Sequence, residues 1–192
     1  MSLLALVYLG IAACQQPQAQ NVMVSFEIMR APVAASQLPP LPKKATMKQW
    51  EDYSMTVIGI LFPDEESEIK KTSVKAQPKS GVFFGQSSIF GNEIFLNISA
   101  VNSVVRTPED FAALIGHEFS HFILLRNQIT QEGHEDETDL IGASRLERGA
   151  CIWANVIERT LTAPAYKHIS NPDFYTLNME RVNKLRKVCG EN

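Results

Sequence analysis

Positive charge is scarce in this sequence: 18 Lys and Arg stand against 21 Asp and Glu, a net charge of −3 over 192 residues. A chain that neutralises phosphates needs a basic surplus, so composition excludes a nucleic-acid role. Long apolar runs are scarce too. The charge-free stretch from Met1 to Ala13 is shorter than the ~20 residues that cross a bilayer, which excludes a spanning helix there and fits the core of a signal peptide. Internal repeats are lacking. The length suits one domain, and 45% hydrophobic residues are enough for one packed core. Cysteine is limited to Cys14, Cys151 and Cys189, too few for a disulfide framework.

The chain turns abruptly polar at Cys14-Gln15-Gln16-Pro17-Gln18, which marks a processing boundary. Ile11-Ala12-Ala13-Cys14 resembles a bacterial lipobox, with Cys14 as the lipidated residue, although the usual Lys or Arg before the apolar core is missing. The resemblance implies a periplasmic or secreted protein tethered to the membrane only through its N-terminal lipid. The alternatives are an N-terminal strand or helix buried in the fold, or a cytoplasmic protein without a signal. With Cys14 set apart, Cys151 and Cys189 form an even pair that could close one disulfide in an oxidising compartment, or remain two buried thiols.

Residues 1–14 thus read as signal and lipobox, and residues 15–45 as a Gln- and Pro-rich tether containing Gln37-Leu38-Pro39-Pro40-Leu41-Pro42 and one short strand at Val22 to Ile28. Residues 46–192 are the expected folded domain. Trp50 to Phe62 suits a helix, and Asp64 to Lys71 a solvated loop or helix face. Gly81 to Gly85 and Glu93 to Ile98 are β-branched and aromatic runs divided by Gly and Asn, the pattern of a hairpin or two adjacent strands. Thr107-Pro108-Glu109-Asp110 then supplies an N-cap, a proline at the first helical position and an acid at the third. Phe111, Leu114, Ile115, Phe119, Phe122 and Leu125 follow at largely helical spacing, so this helix should bury one side.

Within that helix stands His117-Glu118-Phe119-Ser120-His121, an HExxH sequence. Roughly 3.6 residues per turn place both imidazoles on one face, able to reach one ion. Glu118, about 100° around the axis, can take a proton from a metal-activated water without itself ligating. Three titratable groups in an apolar helix need such a partner, or a structural hydrogen-bonding role, to offset their burial. Catalytic zinc takes three protein ligands and leaves one position open. A metzincin would place glycine and a third histidine where Leu124 and Asn127 stand, so that class is excluded. Downstream, Glu135 can ligate while Asp139, four residues on and on the same helical face, accepts the free ring N–H of a ligand histidine. Glu132, His134 and Glu137 remain competing third ligands.

Gly116 to His121, followed by Glu135-Asp136-Glu137-Thr138-Asp139-Leu140-Ile141-Gly142-Ala143, resembles the gluzincin pattern of HtpX-like, CAAX-prenyl-protease-type zinc peptidases, in which HExxH is followed by ExxAD and a helix with a small-residue step. The likeness runs over about residues 80 to 185: Asn92 to Asn97 matches the edge strand before the motif helix, and His168 to Leu185 is faintly similar to a closing His-Pro-Arg segment. Thr138 stands where the family has alanine, and the family's membrane helices are absent. The resemblance implies an α+β, zincin-like single domain, with a small antiparallel sheet packed on the HExxH helix and a second, glutamate-bearing helix. It further implies Zn2+ held by His117, His121 and Glu135, and Glu118 as general base in the hydrolysis of a peptide or unfolded-protein substrate. Ile94, Phe95, Leu96 and Asn97 would align the peptide by β-pairing, and His168, Tyr166 or Tyr175 would stabilise the oxyanion. By analogy with the family, the work done is envelope protein quality control. The rival reading from another class is a non-catalytic periplasmic binding or assembly factor that keeps zinc structurally, for which Glu118 would have no use.

Overall fold

The computed structural model describes residues 31–78, 85–88, 92–126, 134–163 and 172–191. The expected leader and lipobox with Cys14, the strand at Val22 to Ile28, the run Gly81 to Phe84, and His168 and Tyr166 lie outside them.

Helix α1 (Met47–Leu61) starts at a capping box: the Thr46 hydroxyl accepts from Gln49 N, and Gln49 Oε1 accepts from Thr46 N at 2.8 Å. Trp50, Ser54, Val57, Ile58 and Leu61 form its buried stripe. A short helix α2 (Glu66–Lys71) follows, largely exposed. The expected tether is shorter than its composition suggests. Val33 exchanges backbone bonds with Arg145 O (2.9 Å) and Glu147 N (3.0 Å), Leu38 is buried in the core, and Tyr53 Oη donates to Pro39 O at 2.9 Å. Prolines lack an amide hydrogen but keep a carbonyl acceptor and an apolar ring, so a Pro-rich strap can pack against a core.

Three strands, β1 (Ser73–Gln77), β2 (Gly85–Ser88) and β3 (Glu93–Asn97), form a sheet in the order β1-β3-β2. The antiparallel sheet expected from sequence is therefore mixed: β3 pairs antiparallel with β2 but parallel with β1, with Val74 opposite Ile94 and Ala76 opposite Leu96. Two consecutive apolar runs suggested the hairpin; the parallel partner comes from a segment twenty residues earlier in register (Ser73 opposite Glu93) that no local pattern could place. Ile94 and Leu96 are fully buried, and Asn97 accepts from Ala100 N to cap helix α3 (Ile98–Val104).

Helix α4 (Pro108–Arg126) begins as its sequence requires. Asp110 N donates to the Thr107 hydroxyl, while Asp110 Oδ2 accepts from Thr107 N and Arg106 N, and Asp110 Oδ1 pairs with Arg159 at 2.6 Å. The helix buries more than one side, however: every residue from Asp110 to Leu124 is buried. It is the central element, enclosed by α1, β2, helix α5 (Glu135–Ser144) and helix α6 (Gly149–Thr162), and a helix covered all round has no polar face to preserve. Helix α7 (Pro172–Val188) closes the fold against α6. A Cys151–Cys189 disulfide, Cα–Cα 5.6 Å, joins α6 to the residue after α7. The protein is thus mainly helical with a small sheet, loosely α+β, and no helix among the described residues is long and apolar enough to cross a membrane.

Candidate functional site

The HExxH spacing places His117 and His121 on one face of α4, with ring centroids 4.9 Å apart and planes at 83°. What brings Glu135 to them is the crossing of α4 and α5. A Cβ on Gly142 would sit 2.8 Å from His117 N and 3.0 Å from Gly116 C, closer than carbon atoms approach without displacing backbone. Gly142 therefore lets α5 lie against the backbone of α4 at Gly116 and His117, and the first turn of α5 lies over the histidines. Glu135 Oε2 is 3.4 Å from His117 Nε2, and Glu135 Oε1 is 3.8 Å from His121 Nε2.

Ligands at about 2.0–2.1 Å from a tetrahedral ion are separated by about 3.3 Å from one another. One atom each from His117, His121 and Glu135 lies within 4.8 Å of the other two, so two imidazole nitrogens and a carboxylate oxygen already stand near the spacing that a single divalent ion requires. His117, His121 and Glu118 are buried, whereas the Glu135 side chain is 46% exposed. The cluster thus pairs buried histidines of α4 with a half-exposed carboxylate at the start of α5.

Behind His117 lies a network centred on Asp139, which is 2% exposed. His117 Nδ1 is 2.9 Å from Asp139 Oδ1, Trp153 Nε1 donates to Oδ1 at 2.5 Å, and Arg181 donates to both oxygens through Nε (2.8 Å) and Nη2 (2.7 Å). The Trp153 ring also stacks on the His117 imidazole at 5.0 Å. Arg181 Nη2 reaches Glu135 Oε2 at 3.1 Å and Arg181 Nη1 donates to Asn178 Oδ1, so one guanidinium steadies both carboxylates of the α5 face.

Burial alone would raise the Asp139 carboxyl, but the hydrogen bonds from Arg181 and His117 outweigh it and hold the group well below the usual carboxylate range. The same contest runs the other way at His117: burial opposes its charge, yet the bond to Asp139 prevails and raises it. At His121 the Glu135 carboxylate stands farther off, at 3.8 Å, and does not prevail. Burial, then repulsion from His117 and Arg181, push it down to about 3, which leaves a neutral imidazole with a free lone pair.

Of the residues singled out in the sequence, His117, His121, Glu135 and Asp139 are brought together, with Glu118 next to His117 on the same helix. Among the competing ligands, His134 Nδ1 lies 3.5 Å from Glu137 Oε2 and Glu137 is exposed, while Glu132 lies outside the described residues. The substrate-aligning role expected of Ile94, Phe95, Leu96 and Asn97 is not available to them. They form β3, the middle strand, both of whose edges are already paired, and Asn97 is spent on capping α3. Tyr175 is exposed on α7. Cys151 and Cys189 are disulfide-bonded rather than two separate thiols.

Trp153 and Arg181, neither singled out as a site residue in the sequence, join the cluster through Asp139. Their signal was indirect: a buried carboxylate requires donors, but nothing in the linear order says that they come from a tryptophan 14 residues on and an arginine 42 residues on. No protein-family model, no curated protein and no solved structure matches this chain.

Proposed function

We propose that this protein is a zinc-dependent peptidase of zincin-like build, similar in its site to the HtpX-like gluzincins. The observation that carries the reading is the convergence of His117 Nε2, His121 Nε2 and the Glu135 carboxylate from two helices, with a buried glutamate next to the first histidine. Two imidazoles and one carboxylate are a donor set suited to zinc with one position left open. A zinc ion held there would supply Lewis acidity, polarising a scissile carbonyl and making water acidic enough to lose a proton near neutral pH.

The chain's own residues do the rest. Glu118 takes that proton and passes it to the leaving amine. Asp139 keeps His117 oriented, with its Nδ1 hydrogen held and its Nε2 lone pair aimed forward. The second histidine and the solvent-facing Glu135 complete the donor set, and Arg181 limits the freedom of that glutamate. An extended peptide would run along β2 rather than β3: β2 lies beside α4 and, among the described residues, pairs on one side only. The Cys151–Cys189 bond favours an oxidising compartment, in keeping with export and an anchor at Cys14; lipid attached to Cys14, read by mass spectrometry of the membrane fraction, would test that part.

The decisive test compares wild type with Glu118→Gln for zinc content and casein hydrolysis. One zinc per chain in both, with cleavage in wild type alone, supports the peptidase. Equal zinc with no cleavage by either would favour a zinc-containing binding or assembly factor, and no zinc in either would remove the metal site itself.

A further inference from the structure

The two histidines of the cluster differ in what stands behind them, and the difference lies in one residue of α5. Thr138 is completely buried, between Glu135 and Asp139 on the helix. Its hydroxyl donates to His134 O at 2.8 Å, the i−4 back-bond open to threonine in a helix. That bond consumes the only hydrogen the hydroxyl has, so the oxygen can face other groups only as an acceptor. The group it faces is His121 Nδ1, at 3.5 Å.

We propose that Thr138 is a positioning residue for the second histidine: its hydroxyl oxygen accepts a hydrogen bond from the Nδ1–H of His121 and so leaves Nε2 as the bare nitrogen turned toward Glu135. This rests on the metal-site reading above and adds a residue to it. One turn and a half of α5 then serves both imidazoles at once, with Glu135 in front of the rings, Asp139 behind His117 and Thr138 behind His121. The two supports are unequal. Asp139 is a charged acceptor at 2.9 Å, fixed by Arg181 and Trp153, whereas Thr138 is a neutral one at longer range, fixed by a single carbonyl. An alanine at this position would leave His121 Nδ1 without that acceptor, so the threonine matters chemically as well as in filling space.

The test uses two substitutions that separate hydroxyl from shape. Thr138→Val keeps the branched volume and removes the oxygen; Thr138→Ser keeps the oxygen and removes a methyl group. Zinc affinity of the full chain is measured by competition with a chromophoric chelator, and the visible spectrum of the Co2+-loaded protein reports the ligand field. Thermal melts of the metal-free variants show that both are folded. Loss of an outer partner of a metal-ligating histidine costs roughly 10- to 100-fold in affinity, so for this neutral, longer contact a loss of about tenfold with an altered Co2+ spectrum is expected for Thr138→Val. Thr138→Ser should stay within about twofold of wild type, with an unchanged spectrum. Wild-type affinity in Thr138→Val, or an equal loss in Thr138→Ser, would overturn the proposal in favour of packing. A wild type that binds no stoichiometric metal would overturn the metal site first, and this inference with it.

Discussion

The α4–α5 crossing and the α6–α7 layer behind it both hold the candidate site, but by different physics. At the crossing the distances are set by hard contact: Gly142 lies against the backbone of Gly116 and His117, and an added methyl group has nowhere to go. In the α6–α7 layer the site is held by charge and covalent linkage, through Trp153 and Arg181 on Asp139 and through the Cys151–Cys189 bond. Steric contacts fail abruptly, because repulsion rises steeply with overlap. Polar contacts are graded and can be weakened in steps. The lesson is that ligand geometry depends on the crossing, while ligand orientation and protonation depend on the layer behind it.

The sharpest way to break this contrast is Gly142→Ala. It should cost about 3 kcal/mol, the upper end of overpacking, and abolish stoichiometric zinc binding, as read by urea denaturation and metal analysis. A variant with wild-type stability and metal content would mean that the helices can separate without harm. Next comes the disulfide. A bridge spanning 38 residues is worth about 2–4 kcal/mol through restriction of the unfolded chain, so mild reduction should lower the urea midpoint by that equivalent. Helix packing between α6 and α7 should survive reduction, so zinc affinity should fall by less than it does in Gly142→Ala.

Arg181→Lys probes the graded side more finely. Lysine keeps the charge but loses the two-pronged bond to Asp139, an expected cost of about 1–2 kcal/mol in stability together with a measurable drop in zinc affinity. An Arg181→Lys protein as damaged as Gly142→Ala would erase the distinction between the two regions.

The smallest expected effect is one of pH on the metal-free protein. His121 ordinarily titrates near 6.5 and is pushed down to about 3 in the fold. Above pH about 6.5 neither state binds the proton and the group contributes nothing; below it, the unfolded chain gains a proton that the folded chain refuses, so stability is lost as pH falls. Between pH about 7.5 and pH about 5.5 this amounts to about 1 kcal/mol. His117, whose charge is favoured in the fold, acts in the opposite sense, so the effect is read as a difference: chelator-treated wild type should lose stability relative to His121→Asn as pH falls, and parallel curves would mean that the imidazole titrates normally.

Much of α4 was legible from its residues. Thr107, Pro108 and Asp110 spell a helix start through hydrogen bonds only a few residues long, and His117, Glu118 and His121 acquire their common setting from the helical period alone. Glu135 and Asp139 could be paired with each other for the same reason. The sheet was harder. Local composition named β3 as a strand but could not reveal that a parallel partner would cover its far edge, which moved the candidate peptide-aligning edge from Ile94–Asn97 to β2. The Pro-rich stretch around Leu38 misled because composition reports the conformation a segment prefers by itself, not whether a core offers it a place.

By itself, then, the sequence determined what depends on neighbours within about a helical turn: the caps, the one-turn spacing of His117 and His121, and the Glu135–Asp139 pair one turn apart. Only the tertiary structure decided that these two turns meet across Gly116 and Gly142, that Arg181 and Trp153 secure the buried Asp139, and that Thr138 faces His121. The reason is physical: helical periodicity is a local property of the backbone, whereas the approach of two helices and the partner of a buried charge are set by packing between segments far apart in the chain.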